Sequence, residues 1–465
     1  MNTHSRFYFS KALVIICLWI TTNNCFAQQK PLFQKGDRVC FVGNSITHNG
    51  EFHHNILLYQ VTHFPSETIN VYNCGVAGDD LNKVFPRLND DIFVHRPNKV
   101  VIMIGMNDVL RGLYGNKITI NADTLARREN ALAKYKTKLD SLVRIFLSKN
   151  IQVILQKPSI YDQTADLKQY NNLGVNDALK TCADYAQILA NKYKLQTVDY
   201  WTIMTKINQQ LQQKNSSATI VGPDRVHPGA EGHFVMAHQF IKTLSGQKPQ
   251  YVSRICIGKS EKYSNRKSEN CSIQSILKNK STILFNVQER ALPFPTGEKQ
   301  LPALEIIPFT KEYNSELLLV NGLKKGNYKL LIDSAFIGNF TAAQLKSGIN
   351  LAKFQNTPQY QQSLRVKDLL TNIWQIEEGL RAIKMLEYWG VAKLPYLENM
   401  DTVRVKLDKM RLKSSASNWF IKQYQLYVDC KPMEEALKQK SDSLVAEAFL
   451  AAKPKVHNYK IESIK

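Results

Sequence analysis

Between about residues 35 and 245, short apolar runs alternate with stretches whose apolar positions recur every three or four residues. The runs are Arg38–Val42, Ile69–Asn73, Val100–Ile104, Gln152–Leu155 and Gln196–Asp199. Most are unbroken rather than alternating, as strands buried on both faces are. The clearest helical stretch spans about Asp123 to Lys149, where Leu132, Tyr135, Leu139, Leu142, Val143 and Phe146 share one face. Strand and helix repeated in this way predict an α/β domain, its parallel sheet covered on both sides. In such a sheet, loops that carry chemistry gather at the carboxyl ends of the strands.

From about residue 246 the pattern changes. KSEKYSNRKSEN, residues 259–270, reads as a polar, basic loop. ELLLVNGLKKGNYKLLIDSAFIGNF, residues 316–340, reads as strands broken by Asn-Gly, Lys-Gly-Asn and Asp-Ser turns, a small antiparallel unit. After Thr357-Pro358 the period becomes helical. Val366, Leu369, Leu370, Ile373, Ile376, Leu380 and Ile383 form one stripe, expected to be core packing. A last helix fits Met433 to about Ala452, and KPKVHNYKIESIK follows as a basic tail. The chain thus divides into an α/β domain (28–245), a β-rich accessory region (246–357) and a helical region (358–465). There is no tandem repeat.

The first 27 residues carry Arg6 and Lys11, then the apolar stretch ALVIICLWI, then Cys25-Phe26-Ala27 as a small-x-small site. This is the pattern of a cleavable export signal, cut after Ala27. Asn23 and Asn24 disfavour lipid attachment at Cys25. No later run approaches membrane-spanning length, so a secreted or periplasmic protein is expected. The net charge of +22 favours anionic partners such as an acidic polysaccharide or an envelope surface. A merely basic, solvated surface accounts for it equally well. Export and the absence of any nucleic-acid motif argue against nucleic acid. Cys40 and Cys74 read as buried thiols, whereas Cys256 and Cys271 flank a polar loop and are close enough in sequence to pair. No Cys-x-x-Cys zinc pattern occurs.

The first apolar run ends abruptly in GNSIT, residues 43–47. A serine there either caps the following helix or serves as a nucleophile, which needs a base, an orienting carboxylate and oxyanion donors. GPDRVHPGAEGH, residues 222–233, offers Asp224 and His227 three apart in a Gly- and Pro-bounded loop. The other reading is an Asp that caps the next helix beside a structural histidine. NCGVAGDD, residues 73–80, follows the second strand, and Gly78 can bring a backbone N–H close to a substrate. IGMNDV, residues 104–109, follows the third, and Asn107 offers a side-chain amide or a turn. Ser, Gly, Asn and Asp-x-x-His fall in order after strands that a parallel sheet would converge, which favours catalysis over four separate caps. His48, His53 and His54 cluster near the serine without carboxylate or cysteine spacing for a metal. His233 and His238 read as structural. Arg111, Tyr114, Tyr161 and Asp162 are either pocket or ordinary loop residues.

GNSIT, NCGVAGDD, IGMND and DRVHP resemble blocks I, II, III and V of the SGNH (GDSL-type) hydrolases. The resemblance covers roughly residues 35–245. It implies a flavodoxin-like three-layer sandwich with five parallel strands, followed here by a smaller β-rich and helical C-terminal region. It also implies Ser45 as nucleophile, His227 as base and Asp224 as its partner. The Ser45 N–H, Gly78 and Asn107 would form the oxyanion hole, with no metal and no cofactor. One departure is Asn44, where the family usually has Asp. ALPFP (291–295) and GINLA (348–352) are similar to the C-terminal extension of some secreted members. The function expected is a secreted serine esterase acting on a small-molecule or polysaccharide ester, best an O-acetylated carbohydrate. The rivals are a lysophospholipase-like lipid esterase and an inactive glycan-binding protein.

Overall fold

Five parallel strands form the first sheet: β1 (Arg38–Gly43), β2 (Asn70–Gly75), β3 (Lys99–Met103), β4 (Gln152–Lys157) and β5 (Gln196–Asp199). Their order is β2-β1-β3-β4-β5. Successive side chains of β1 show why the run is unbroken. Val39 and Phe41 enter one core with the helices Glu51–His63, Tyr200–Gln212 and Ala230–Leu244. Cys40 and Val42 enter a second core with the helices Ala122–Ser148 and Val175–Tyr193. A strand covered on both faces has no polar side to alternate with. The flavodoxin-like three-layer sandwich follows, and its strand order reverses direction at β1 and β3, where ligands of such sheets bind.

The computed structural model describes residues 29–258, 268–388, 400–412 and 417–464. The expected export signal and most of the polar loop at 259–270 lie outside these residues. The remaining strands are β6 (Tyr251–Ile257), β7 (Cys271–Lys278), β8 (Thr282–Glu289), β9 (Ser315–Val320), β10 (Asn327–Ile332), β11 (Ala335–Thr341), β12 (Ile349–Asn350) and β13 (Val456–Ser463). They form two sheets, β11-β10-β13-β8-β7 and β12-β9-β6. Ile255, Leu318 and Val320 of one pack with Phe285, Leu330 and Ile461 of the other in a single core.

Two expectations are corrected here. Residues 316–340 do not make one antiparallel unit, because β9 leaves β10 and β11 and pairs in parallel with β6. The basic tail is strand β13, the middle of its sheet, hydrogen-bonded to β8 and β10. His457, Tyr459 and Ile461 are buried along it while intervening residues face outward or are half-buried. That alternation outweighs the lysines. The chain therefore runs through its helical region and returns to close the β-rich one. No disulfide joins Cys256 and Cys271; the Cys271 thiol donates to the Arg254 carbonyl at 3.2 Å. Cys40 and Cys74 are fully buried, as expected.

The long helix Pro358–Leu386 opens with Thr357, whose Oγ1 accepts from the Tyr360 N–H, and with Pro at its first position. Its Val366, Leu370 and Ile373 join the core of the α/β domain. Ile383, Met385 and Leu386 pack with Val76 and Ala77 and with Tyr424 and Tyr427 of the helix Asn418–Cys430. The C-terminal helices thus rest on the carboxyl end of the first sheet.

Tyr459 tests the role of β13. It is buried, stacks on Phe285 at 5.0 Å and accepts from the Gln359 amide at 2.6 Å. Tyr459→Ala is expected to lower stability by about 3–5 kcal/mol, as large aromatic truncations in cores do. Urea unfolding of the purified chain reads this directly, and a loss below about 1 kcal/mol would mean that β13 is dispensable.

Candidate active site

The sheet ends in glycine where the serine turn crosses it. A Cβ on Gly43 would sit 2.2 Å from Thr47 Oγ1, and one on Gly75 would sit 2.2 Å from the His48 backbone nitrogen. Only glycine lets residues 44–49 lie directly over β1 and β2. Asn44, which is buried, accepts from the Ile46 N–H at 3.2 Å and caps the short helix Ser45–Asn49. The departure at residue 44 therefore supplies the cap, and the serine is released from that duty. Ser45 Oγ lies 2.7 Å from His227 Nε2.

His227 is presented by a tight loop. The Gly222 N–H donates to the His227 carbonyl at 2.7 Å, and Arg225 adopts φ 66° between them. Arg225 is buried and donates to the carbonyls of Asp162, Ala165, Leu167 and Gln169, which fixes the loop to the chain after β4. Asp224 does not cap the helix that begins at Ala230. Its Oδ2 lies 2.5 Å from His227 Nδ1, and its Oδ1 accepts the Val226 and His227 N–H groups at 3.0 Å. Partial burial raises the Asp224 carboxyl, but the bonds from His227 and the two backbone N–H groups outweigh it and hold it well below the usual range. An ionised Asp224 fixes the imidazole with its proton on Nδ1, leaving Nε2 to accept from Ser45.

Gly78 (φ 77°) and Asn107 line the same cavity as Ser45 and His227, about 510 Å³ in volume. One Asn107 amide proton goes to the Asp79 carbonyl at 2.8 Å. The second is left for a ligand. The structure thus brings together Ser45, Gly78, Asn107 and His227 in one cavity, with Asp224 behind His227. Such an arrangement can deprotonate a serine hydroxyl and receive an oxyanion.

Of the remaining candidates, Arg111 lines the cavity. Tyr161 and Asp162 are buried scaffolding; Tyr161 OH accepts from the Asn172 N–H and Asp162 from the Thr164 and Ala165 N–H groups. Tyr114 is buried beneath the Arg128 guanidinium. His238 pairs with Glu312 at 3.0 Å, a structural role. His233, read as structural, is buried but also borders the cavity, its Nε2 3.0 Å from the Asn49 amide. Burial and Arg381 push His48 down to about 4, so it is neutral and accepts the Ala77 N–H at 3.3 Å. His53 and His54 meet Glu377 of the long C-terminal helix, with ligand atoms within 4.8 Å of one another. These three could hold a metal, although each already has a protein partner. His54 bonds Glu377 at 2.6 Å, Asn73 donates to Glu377 at 2.9 Å, and His53 bonds the Thr47 carbonyl at 3.2 Å.

Sequence reasoning missed Met385 and Trp419, which wall the cavity from the C-terminal helices. It also missed Arg381, which bonds buried Asp91 through both terminal nitrogens at 2.7 and 3.1 Å. Asp91 is shared with Arg87 at 2.6 Å, and Arg87 reaches Asp79, beside Gly78, at 2.8 Å. A signal was present: Glu377 and Arg381 are charges four apart near the apolar stripe of one helix.

Residues 41–240 match the family model described as GDSL-like Lipase/Acylhydrolase. The structure of BT4096, a gut microbial diltiazem-metabolizing enzyme, is 32% identical and covers 94% of this chain and 100% of its own, with a TM-score of 0.82. An acetylxylan esterase from Geobacillus stearothermophilus is 23% identical over 226 residues, 45% of this chain and 94% of its own length. The solved structure of Axe2, an acetylxylan esterase from the same organism, covers 46% of this chain and 95% of its own at 23% identity, with a TM-score of 0.36.

Replacing Arg381 by Met leaves Asp91 Oδ2 bonded to Arg87 but takes the Arg381 bond from Oδ1 and removes one of the two cations. A stability loss of about 3 kcal/mol is expected from an undercompensated buried carboxylate, read as a lower denaturation midpoint. A neutral outcome would show that Arg87 alone suffices.

Proposed function

The chain belongs to the GDSL-like lipase/acylhydrolase family and is a carboxylic ester hydrolase; from that premise we propose that Ser45, His227 and Asp224 are its catalytic triad and that it deacetylates O-acetylated carbohydrate. The observation that carries the triad is the unbroken relay from Ser45 Oγ to His227 Nε2 (2.7 Å) and from His227 Nδ1 to Asp224 (2.5 Å) at the wall of a cavity. The likeness to an acetylxylan esterase supports the substrate class.

In this mechanism Ser45 Oγ attacks the ester carbonyl carbon as His227 Nε2 takes its proton. The carbonyl oxygen becomes an oxyanion, held by the Ser45 and Gly78 N–H groups and the second Asn107 amide proton. The bond to the alcohol then breaks, and the alcohol leaves with the proton from His227. Water adds to the acyl-enzyme by the same route, its proton passing to His227 and then to Ser45 Oγ as the carboxylic acid departs. Asp224 stays ionised and stabilises the imidazolium formed at each addition. The export signal read at residues 1–27 supports an activity outside the cytoplasm; N-terminal sequencing of the extracytoplasmic protein should begin at Gln28, and an uncleaved N-terminus would overturn that reading.

Hydrolysis of p-nitrophenyl acetate, octanoate and decanoate tests the triad and the acyl preference together. Ser45→Ala should abolish acetate turnover, and the wild type should prefer acetate. Asn107→Ala should lower kcat by roughly 10²–10³, about 3–4 kcal/mol of oxyanion stabilisation. Turnover unchanged in Ser45→Ala would sink the triad, and a preference for decanoate would move the substrate to lipid esters.

A further inference from the structure

A second cavity, about 280 Å³, adjoins the one at Ser45 and shares His48, Asn49 and Trp419 with it as walls. Beside His54 of the helix Glu51–His63, the rest of its lining comes from the long C-terminal helix and the helix Asn418–Cys430, through Trp374, Gln375, Glu378 and Gln423 among others. We propose that this second cavity is the leaving-group subsite and binds a neutral sugar ring whose hydroxyl carries the ester cleaved at Ser45. The inference rests on the esterase reading above and extends it to the alcohol half of the substrate.

Three observations carry it. Gln423 is only 2% exposed, yet its amide oxygen has no hydrogen-bond partner among the described residues. The Trp374 indole N–H is buried and lacks a partner there as well. Both side chains line this cavity. A buried acceptor and a buried donor without partners are costly, and a ligand hydroxyl, which donates and accepts, satisfies both kinds. An acyl chain satisfies neither.

Trp419 is the second observation. It stands between the two cavities, 42% exposed, with its ring 6.5 Å from that of His48. An exposed indole between a polar cavity and a nucleophile offers a flat apolar face to the C–H side of a sugar ring. Trp374 is held differently, stacked on His54 at 4.6 Å and 11°, so its ring is fixed while its N–H remains for a ligand.

Charge is the third. Among the described residues the cavity is lined by two carboxylates, Glu377 and Glu378, and by no Lys or Arg. Glu377 bonds His54 at 2.6 Å and accepts from the Asn73 amide at 2.9 Å. Glu378 is paired with Lys422. Lys422 meets Glu378 without joining the lining, so among the described residues a uronate ring would meet carboxylates of like charge there. A neutral ring would not.

The test uses the full-length protein and its Gln423→Leu and Trp374→Phe variants. Each is assayed on p-nitrophenyl acetate, on mono-O-acetylated xylo-oligosaccharide and on O-acetylated galacturonide. We expect p-nitrophenyl acetate turnover within about twofold of wild type, and kcat/KM on the acetylated xylo-oligosaccharide at least tenfold lower, mostly through KM. A merely structural role would lower both substrates together and the melting temperature with them. Equal effects on both substrates, no effect on either, or a wild-type preference for the galacturonide overturns the proposal. Tryptophan fluorescence of Ser45→Ala titrated with unacetylated xylo-oligosaccharide separates this from the triad. Saturable quenching that Gln423→Leu abolishes supports the subsite even if Ser45→Ala still hydrolyses p-nitrophenyl acetate. No quenching overturns it even if the triad stands.

Discussion

Asp91 is buried between two arginines, one from its own segment and one from a distant helix. Arg87 lies four residues away and continues to Asp79, which adjoins Gly78. Arg381 comes from the long C-terminal helix. Burial alone would raise the Asp91 carboxyl, but Arg381 and Arg87 together hold it far below its usual range. Asp79 is less well compensated; burial pushes it up to about 6 although Arg87 pulls the other way. Such a network contributes little net stability, because desolvating four charges offsets most of their attraction. What it supplies is position. It admits one placement of the C-terminal helix relative to the loop that carries Gly78, since any other leaves a charge buried alone.

The proposed reacting groups depend on that placement at one remove. Ser45, Gly78 and Asn107 follow β1, β2 and β3, and parallel strands of one sheet bring their carboxyl ends together without further help. Gly43 and Gly75 let the serine turn lie flat on those ends. Neutral His48 accepts from Ala77 and ties that turn to the Gly78 loop. The same Ala77 packs with Leu386 and Tyr427 of the C-terminal helices. The chain near the proposed oxyanion site is thus gripped from below by the sheet and from above by the C-terminal region.

The parts legible in the sequence are those whose physics is local. Strands buried on both faces must be apolar throughout, so five runs read as five strands within two residues at either end. Ser45, Gly78 and Asn107 each follow such a run, and Asp224 and His227 are close enough to meet within one loop. The parts that were illegible depend on distant partners. Strand β13 alternates correctly at His457, Tyr459 and Ile461, but its partners in β8 and β10 lie more than a hundred residues earlier, and its lysines read as a solvated tail. Glu377 and Arg381 stood near an apolar stripe where two charges are out of place, yet their partners His54 and Asp91 are nearly three hundred residues or more away. Trp419 follows no pattern at all, because an exposed indole obeys no burial period.

Whether the C-terminal helices form a fixed wall or a moving cover can be decided by magnitudes. Met385 is one turn from Arg381 on the same helix, and the helix that bears Trp419 packs on that turn through Tyr424 and Tyr427. Opening the cavity by moving these helices would pull Arg381 from Asp91, at a cost of about 3–5 kcal/mol for a broken buried pair. A ligand that binds in the millimolar range supplies only about 4 kcal/mol in all. Closure driven by such a ligand would consume nearly all of its binding energy. The wall is therefore set when the chain folds, and the cavity selects its substrate by shape and hydrogen bonding rather than by closing around it.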